Sequence, residues 1–378
     1  MKHLACGIAL LTSLASTASA LTRVGETAEL FVIGNLSART DDNIFLSDLD
    51  EVDDTILEVA PGLKFVFGQG AQTTGSLEVV ESFTRYLDND DLSDELLSSA
   101  FVVGYDDAKL KLDLNLSYRE LNQSTRDVRG TTLVRRDTIG AAFDSRISVS
   151  EKTSTGLGIN FGDTDYKDAG YIDIEEFAIP FNYFYSLAEK VDLSVGLRYR
   201  ETSLSGGAGD STDYYYNVGA QGDFTPKLSG SFSIGFNQRK PDAGDDETSV
   251  GTEASLRYLL TEKTSLGLAV INDYSTSAEG ISQETFTVTP SFTTKLSSQW
   301  QASLGLTYQK IEYFTGREDE YTDGRISASY IINENATVTL GYNVRSNDSN
   351  VAFTDTNGRL RTADFDNSVI TLSAAVRF

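Results

Sequence analysis

The charged residues of this chain recur at a spacing of two. Lys109, Lys111 and Asp113 lead towards Arg119, Arg198 stands two from Arg200, and Arg146, Arg239, Glu253, Arg257, Arg325 and Arg345 share that parity in their own segments. Residues two apart lie on one face of a β-strand. On the inner wall of a closed sheet they would line a water-filled passage and sort solutes by charge. Most are arginine or lysine, so the expectation is a lumen of cationic bias that accepts anionic or polyhydroxylated solutes. The plainer reading of the same residues is wetting of the lumen and pairing across strands.

Other chemistries are excluded early. The only histidine, cysteine and methionine are His3, Cys6 and Met1. Beyond residue 6 no imidazole or thiol remains for a Ser-His or Cys-His nucleophile or for a zinc site. Glycoside hydrolysis needs only two carboxyl groups. With 56 acidic residues, however, the nearness of any two in sequence carries no information. The chain is therefore not read as an enzyme, and no cofactor is expected. A formal charge of −25 argues against a nucleic-acid partner. The acidic segment from Thr40 to Asp54 suggests calcium, which prefers oxygen ligands. Yet the run from Asp48 to Asp54 lacks the glycine and final glutamate of an EF-hand loop. Solvated loops are the expectation, with bridging of lipopolysaccharide by divalent ions as the alternative.

The elements that must hold these residues are strands. Leu110, Leu112, Leu114, Leu116 and Tyr118 alternate with Lys111, Asp113, Asn115, Ser117 and Arg119, giving one oily face and one wet face. Short polar turns centred near Lys152, Lys190, Lys227, Lys263, Gln299 and Asn335 lie 38, 37, 36, 36 and 36 residues apart by subtraction. Each interval holds two alternating segments and one longer acidic loop. That is one hairpin of a transmembrane β-barrel, whose strands need about 9–11 residues within the hydrocarbon. The rhythm predicts an all-β, closed, antiparallel transmembrane barrel of about 18 strands, or 16 if the first hairpin packs differently. Short turns belong to the periplasm and long loops to the outside.

Residues 1–20 carry the pattern of a signal peptide, and 21–378 are read as one barrel domain in the outer membrane of a Gram-negative cell. No plug domain is expected ahead of the barrel. Ile370, Leu372, Ala374, Val376 and Phe378 alternate to a terminal aromatic, which reads as a signal to the barrel-assembly machinery. Aromatics such as Phe65, Phe67, Tyr86, Tyr105, Phe224, Tyr258, Tyr308 and Tyr342 cluster near strand ends, as in interfacial girdles. Tyr214, Tyr215 and Tyr216 fit either a girdle or a sugar-stacking surface. Pro61, Pro180 and Pro290 fall inside expected strands, where a bulge would accommodate each. Nothing in the sequence marks a trimer face, so the oligomeric state is left open.

The segment from Asp41 to Phe67 resembles the opening hairpin of an outer-membrane β-barrel porin family associated with exopolysaccharide operons. The matching residues are Asp41-Asp42-Asn43-Ile44-Phe45 and Ala60-Pro61-Gly62-Leu63, with alanine where the family has serine. The resemblance implies an outer-membrane barrel, either a general porin or a conduit for polysaccharide, and it supplies no active site. The functional expectation is passive passage of hydrophilic solutes, with exopolysaccharide export as its specific form. A structural or adhesive surface barrel with a blocked lumen is the alternative from another class.

Overall fold

The computed structural model describes residues 21–126, 133–207, 209–354 and 360–378. The strands in chain order are β1 (Thr22–Val24), β2 (Ala28–Asp41), β3 (Asp54–Phe67), β4 (Thr73–Tyr86), β5 (Asp94–Asp106), β6 (Leu110–Asn122) and β7 (Arg135–Ser148). They continue as β8 (Thr153–Tyr166), β9 (Ile174–Ala188), β10 (Val191–Leu204), β11 (Ser211–Asp223), β12 (Leu228–Pro241), β13 (Glu247–Thr261) and β14 (Thr264–Thr276). The last are β15 (Ser282–Lys295), β16 (Trp300–Tyr313), β17 (Glu318–Asn333), β18 (Ala336–Ser349), β19 (Ala352–Thr354), β20 (Leu360–Thr362) and β21 (Phe365–Arg377).

Each strand from β2 to β18 pairs antiparallel with the next, and β21 pairs with both β18 and β2, so eighteen strands close on themselves. Closure follows from the bilayer: no water is available there to satisfy an exposed edge. Val32 and Phe378 exchange both backbone hydrogen bonds, at 2.7 and 2.8 Å, so the final residue belongs to the seam. Beneath it β1 covers the free edge of β2, with Thr22 opposite Leu30. The count is the eighteen that the turn rhythm predicts.

The wall is one layer thick, so each strand has an oily outer face. On β10, Leu193, Val195 and Leu197 are exposed outwards at 42, 60 and 40%, while Asp192, Arg198 and Arg200 take the opposite parity. Trp300 and Tyr330 face outwards at the short-turn end, ring centroids 5.0 Å apart, in the place of an interfacial girdle. Tyr214 and Tyr216 also stack on the outer face (6.4 Å), which assigns them to the wall surface, whereas Tyr215 is buried inside.

The expected proline bulges are absent. Val59↔Phe83 and Gly62↔Val80 keep one register on either side of Pro61. Leu157↔Phe181 and Asn160↔Ala178 do so around Pro180, and Val288↔Tyr308 and Ser291↔Gly305 around Pro290. In an antiparallel strand the backbone groups of each residue point to one neighbour only. Proline therefore forfeits a bond on one side, and no extra residue is needed. The register shifts that do occur adjoin short turns, at Val191/Asp192, Leu259/Thr261 and Ile331/Asn333.

The Asp41-Asp42-Asn43 motif bolts the seam at the long-loop end. Asn43 is 1% exposed; its Nδ2 donates to the carbonyls of Ser47 and Asp366 at 2.8 and 2.9 Å. Asp41 accepts from Asn367 Nδ2 (2.5 Å), and Asp42 accepts from the Ser368 amide (2.6 Å). Below, Ile44 packs with Ile56 and Tyr86 in a small apolar cluster, so Tyr86, 5% exposed, belongs to this plug of the seam and not to the expected girdle. The loop acids thus have specific work: Asp54 accepts the amides of Leu87, Asp88 and Asn89. Among the described residues no three acidic side chains gather into a cation site.

Candidate functional site: a lumen with a folded-in mouth

The inner parity gathers Lys111, Asp113, Arg119, Arg146, Arg198, Arg200, Arg239, Glu253, Arg257, Arg325 and Arg345 on one wall. Lys109 departs from the expectation. It lies in the short turn between β5 and β6, beyond the end of the strand face.

The cationic bias is largely cancelled by acids, most of which, Glu253 aside, the inner-parity pattern did not single out. Arg146 pairs with Asp192 at 2.5 Å, and Arg198 with Glu253 and Asp273, both at 2.6 Å. Arg200 reaches Asp213 (2.6 Å) and Asp273 (3.1 Å). Arg239, fully buried, grips Asp213 with two bonds of 2.7 Å. Arg325 forms a two-bond pair with Asp323, both at 2.9 Å. Arg345 bonds Asn367 and lies 3.9 Å from Asp41, and Lys111 pairs with Asp106 at 2.9 Å. Arg119 and Arg257 are the exposed arginines of the set with no carboxylate in ion-pair range among the described residues.

This ladder has a second task, to hold a piece of the wall that has left the wall. Pairing of β13 with β14 stops at Thr252↔Asn272, although β13 begins at Glu247 and β14 runs to Thr276. β14 stays paired with β15 as far as Thr276↔Ser282, so the top of this hairpin turns inwards as a unit. The carbonyls that β13 no longer serves need other donors. Asn237 Nδ2 reaches the Asn272 carbonyl (3.2 Å), Arg200 Nη2 that of Tyr274 (2.6 Å) and Arg239 Nη1 that of Ser275 (2.7 Å).

The hairpin tip then crosses the mouth. The Ala278 carbonyl accepts the Ile172 amide at 2.9 Å, from the loop between β8 and β9. Ala278 and Val134, 3 and 1% exposed, pack with Tyr166 and Tyr171. Burial there pushes the Tyr171 phenol up, and the negative charge of Glu279 on the tip adds to it. Arg126, four residues past the end of β6, also reaches across the lumen. Arg126 Nη1 donates to Gln309 on β16 (2.5 Å), and its guanidinium sits 5.9 Å from the Tyr321 ring on β17. The lumen is therefore narrowed at the long-loop end from two directions.

A fully closed antiparallel barrel with an oily exterior, a polar lumen and an in-folded mouth is an outer-membrane porin-type protein. The chain belongs to the family described as Putative beta-barrel porin 2, whose model matches residues 31–364. That membership places it in the outer membrane and among porin-like barrels, which are transporters. No curated protein sequence matches it. Similar solved structures include the outer membrane protein OpdK of Pseudomonas aeruginosa, at TM-score 0.49 and 12% identity over 93% of this chain and 99% of that one. OccAB4 of Acinetobacter baumannii gives 0.47 and 11% over 93 and 99%. The FrpB iron transporter of Neisseria meningitidis gives 0.49 and 9% over 94 and 82%.

Proposed function

We propose that this barrel is a constricted channel for small hydrophilic solutes, passive and driven by their own gradient. The observation that carries the reading is the inward fold of the β14–β15 hairpin, held by Arg200 and Arg239 at its root and by Ile172 at its tip. A lumen lined by paired charges and polar groups is hydrated, and a cross-braced mouth sets a size limit upon it. Export of an exopolysaccharide, the more specific form, requires the hairpin and the Arg126 side chain to swing aside, because a polymer must thread the whole lumen. The protein inserts through the assembly machinery with Phe378 as its signal, after loss of residues 1–20 as a leader. Its long loops face lipopolysaccharide.

Planar-bilayer recording with purified protein tests the reading. Discrete conductance steps are expected, together with liposome swelling that falls steeply as the test sugar grows from a pentose to a trisaccharide. A barrel that shows no steps, and no swelling with any sugar, would be the structural or adhesive surface protein instead.

A further inference from the structure

Below the ion-paired ladder, β8 to β11 form a recess in the lumen wall with an unusual surface. Asn182, Gly196 and Asn217 occupy one rung across β9, β10 and β11. A Cβ on Gly196 would lie 2.3 Å from Asn182 Oδ1 and 2.7 and 2.9 Å from the Asn217 amide oxygen and nitrogen. A side chain there would displace the two amide side chains that lean over Gly196 from either side. Asn160, Ser194, Gln221, Ser231 and Ser233 add polar groups to a cavity of about 320 Å³, whose wall also holds the rings of Pro180 and Phe184, within the range of roughly 300–1,000 Å³ usual for small-molecule sites.

Charge at this recess is already spent. Arg198 and Glu253, which border it, bond each other at 2.6 Å. Arg146 is taken by Asp192 and lies over the Phe184 ring, 4.2 Å from its centroid. The carboxamides of Asn160, Asn182 and Asn217, by contrast, have no protein hydrogen-bond partner among the described residues. Each offers both a donor and an acceptor to the lumen. Among the residues that line the cavity an anion finds no free cation and a cation no free carboxylate; Asp144, on β7 beyond Pro180, has no ion-pair partner among the described residues but lies outside the lining. A neutral ligand whose neighbouring groups each donate and accept matches both demands. That is the chemistry of a vicinal diol.

We infer that Asn160, Asn182 and Asn217, over Gly196, form a subsite for an uncharged sugar in transit. The inference rests on the channel reading and adds a substrate class to it. Binding at such a subsite is weak and fast, since a tight site would stop the flow.

The test uses the full barrel, with maltotriose as probe. In planar bilayers it should cause brief, concentration-dependent interruptions of current. Asn182→Ala with Asn217→Ala should weaken that blockade by about tenfold, the loss expected for two neutral hydrogen bonds. Gly196→Ala, which fills the cradle, should weaken it similarly. Ser303→Ala, on β16 six strands round the wall from β10, should leave it unchanged. Heat-modifiable gel migration identifies folded variants, and the asparagine pair decides the matter if Gly196→Ala fails to fold. Calorimetric titration in detergent separates the two ideas. Sugar binding without conductance would overturn the channel and leave the subsite. Conductance with no maltotriose blockade, or equal blockade in the asparagine double variant, would overturn the subsite. Stronger blockade by an oligogalacturonate of the same length would overturn the assignment to neutral sugars.

Discussion

Asp273 is the residue through which the in-folded hairpin is tied electrostatically to the wall, and Asp273→Ala is the sharpest perturbation of the mouth. Its carboxylate accepts from Arg198 Nη2 at 2.6 Å and from Arg200 Nη1 at 3.1 Å, with all three side chains between 12 and 19% exposed. A charge-assisted hydrogen bond contributes about 1.5–3 kcal/mol net. Both arginines keep a second carboxylate, Glu253 and Asp213, so the lower end applies to each bond. The two together give roughly 3 kcal/mol, or about a hundredfold rise in the undocked hairpin population at 1.4 kcal/mol per decade. Single-channel recording should show frequent excursions to a larger conductance, and amide exchange at 273–281 should speed by a similar factor. Loss of one carboxylate beside two retained guanidinium groups should also move the reversal potential towards anions. Asp273→Asn, which keeps an acceptor, should fall between. Unaltered gating together with unaltered exchange would refute the view that this ion cluster holds the constriction.

Three further outcomes follow from the same geometry. Arg257→Gln, at an exposed inner position with no carboxylate partner among the described residues, should lower anion preference in reversal-potential measurements, and Arg119→Gln should act in the same sense; no change in either would remove these arginines from selectivity. Asn43→Ala breaks the bolt to Asp366 and Ser47 and strands polar groups that are now buried; at a cost of about 1–3 kcal/mol per unsatisfied group, the barrel should unfold on gels at visibly lower temperature, with conductance per channel unchanged. Deleting Phe378 removes the backbone pair with Val32 and should cut the membrane-inserted fraction several-fold; normal insertion would show that the terminal aromatic is dispensable for assembly.

The alternation of oily and wet residues determined the barrel by itself. Leu110 to Tyr118 face lipid and Lys111 to Arg119 face the lumen because side-chain direction along a strand is set by local geometry alone. The turn rhythm likewise pointed to about eighteen strands, and the packing of the first hairpin into the wall, between β21 and β4, removed sixteen as the alternative. One faint trace of the mouth was present too. Above Val270 and Phe286 the outward positions turn polar, at Asn272 and Glu284, which bond each other at 2.7 Å. That interruption of the oily face marks where the hairpin leaves the bilayer wall.

Tertiary structure decided what the wet face does. Arg239 and Asp213 are 26 residues apart, and Arg200 and Asp273 are 73 apart; parity puts all four inside but cannot say which will meet. Their meeting depends on the register of several neighbouring strands and on β14 abandoning β13, both of them long-range. The same holds for Asn43, legible as part of a motif but given its role by β21, 323 residues away. Sequence fixes the direction of each side chain within its own strand. Partnership, and with it the charge left free for a solute, exists only once the sheet has closed.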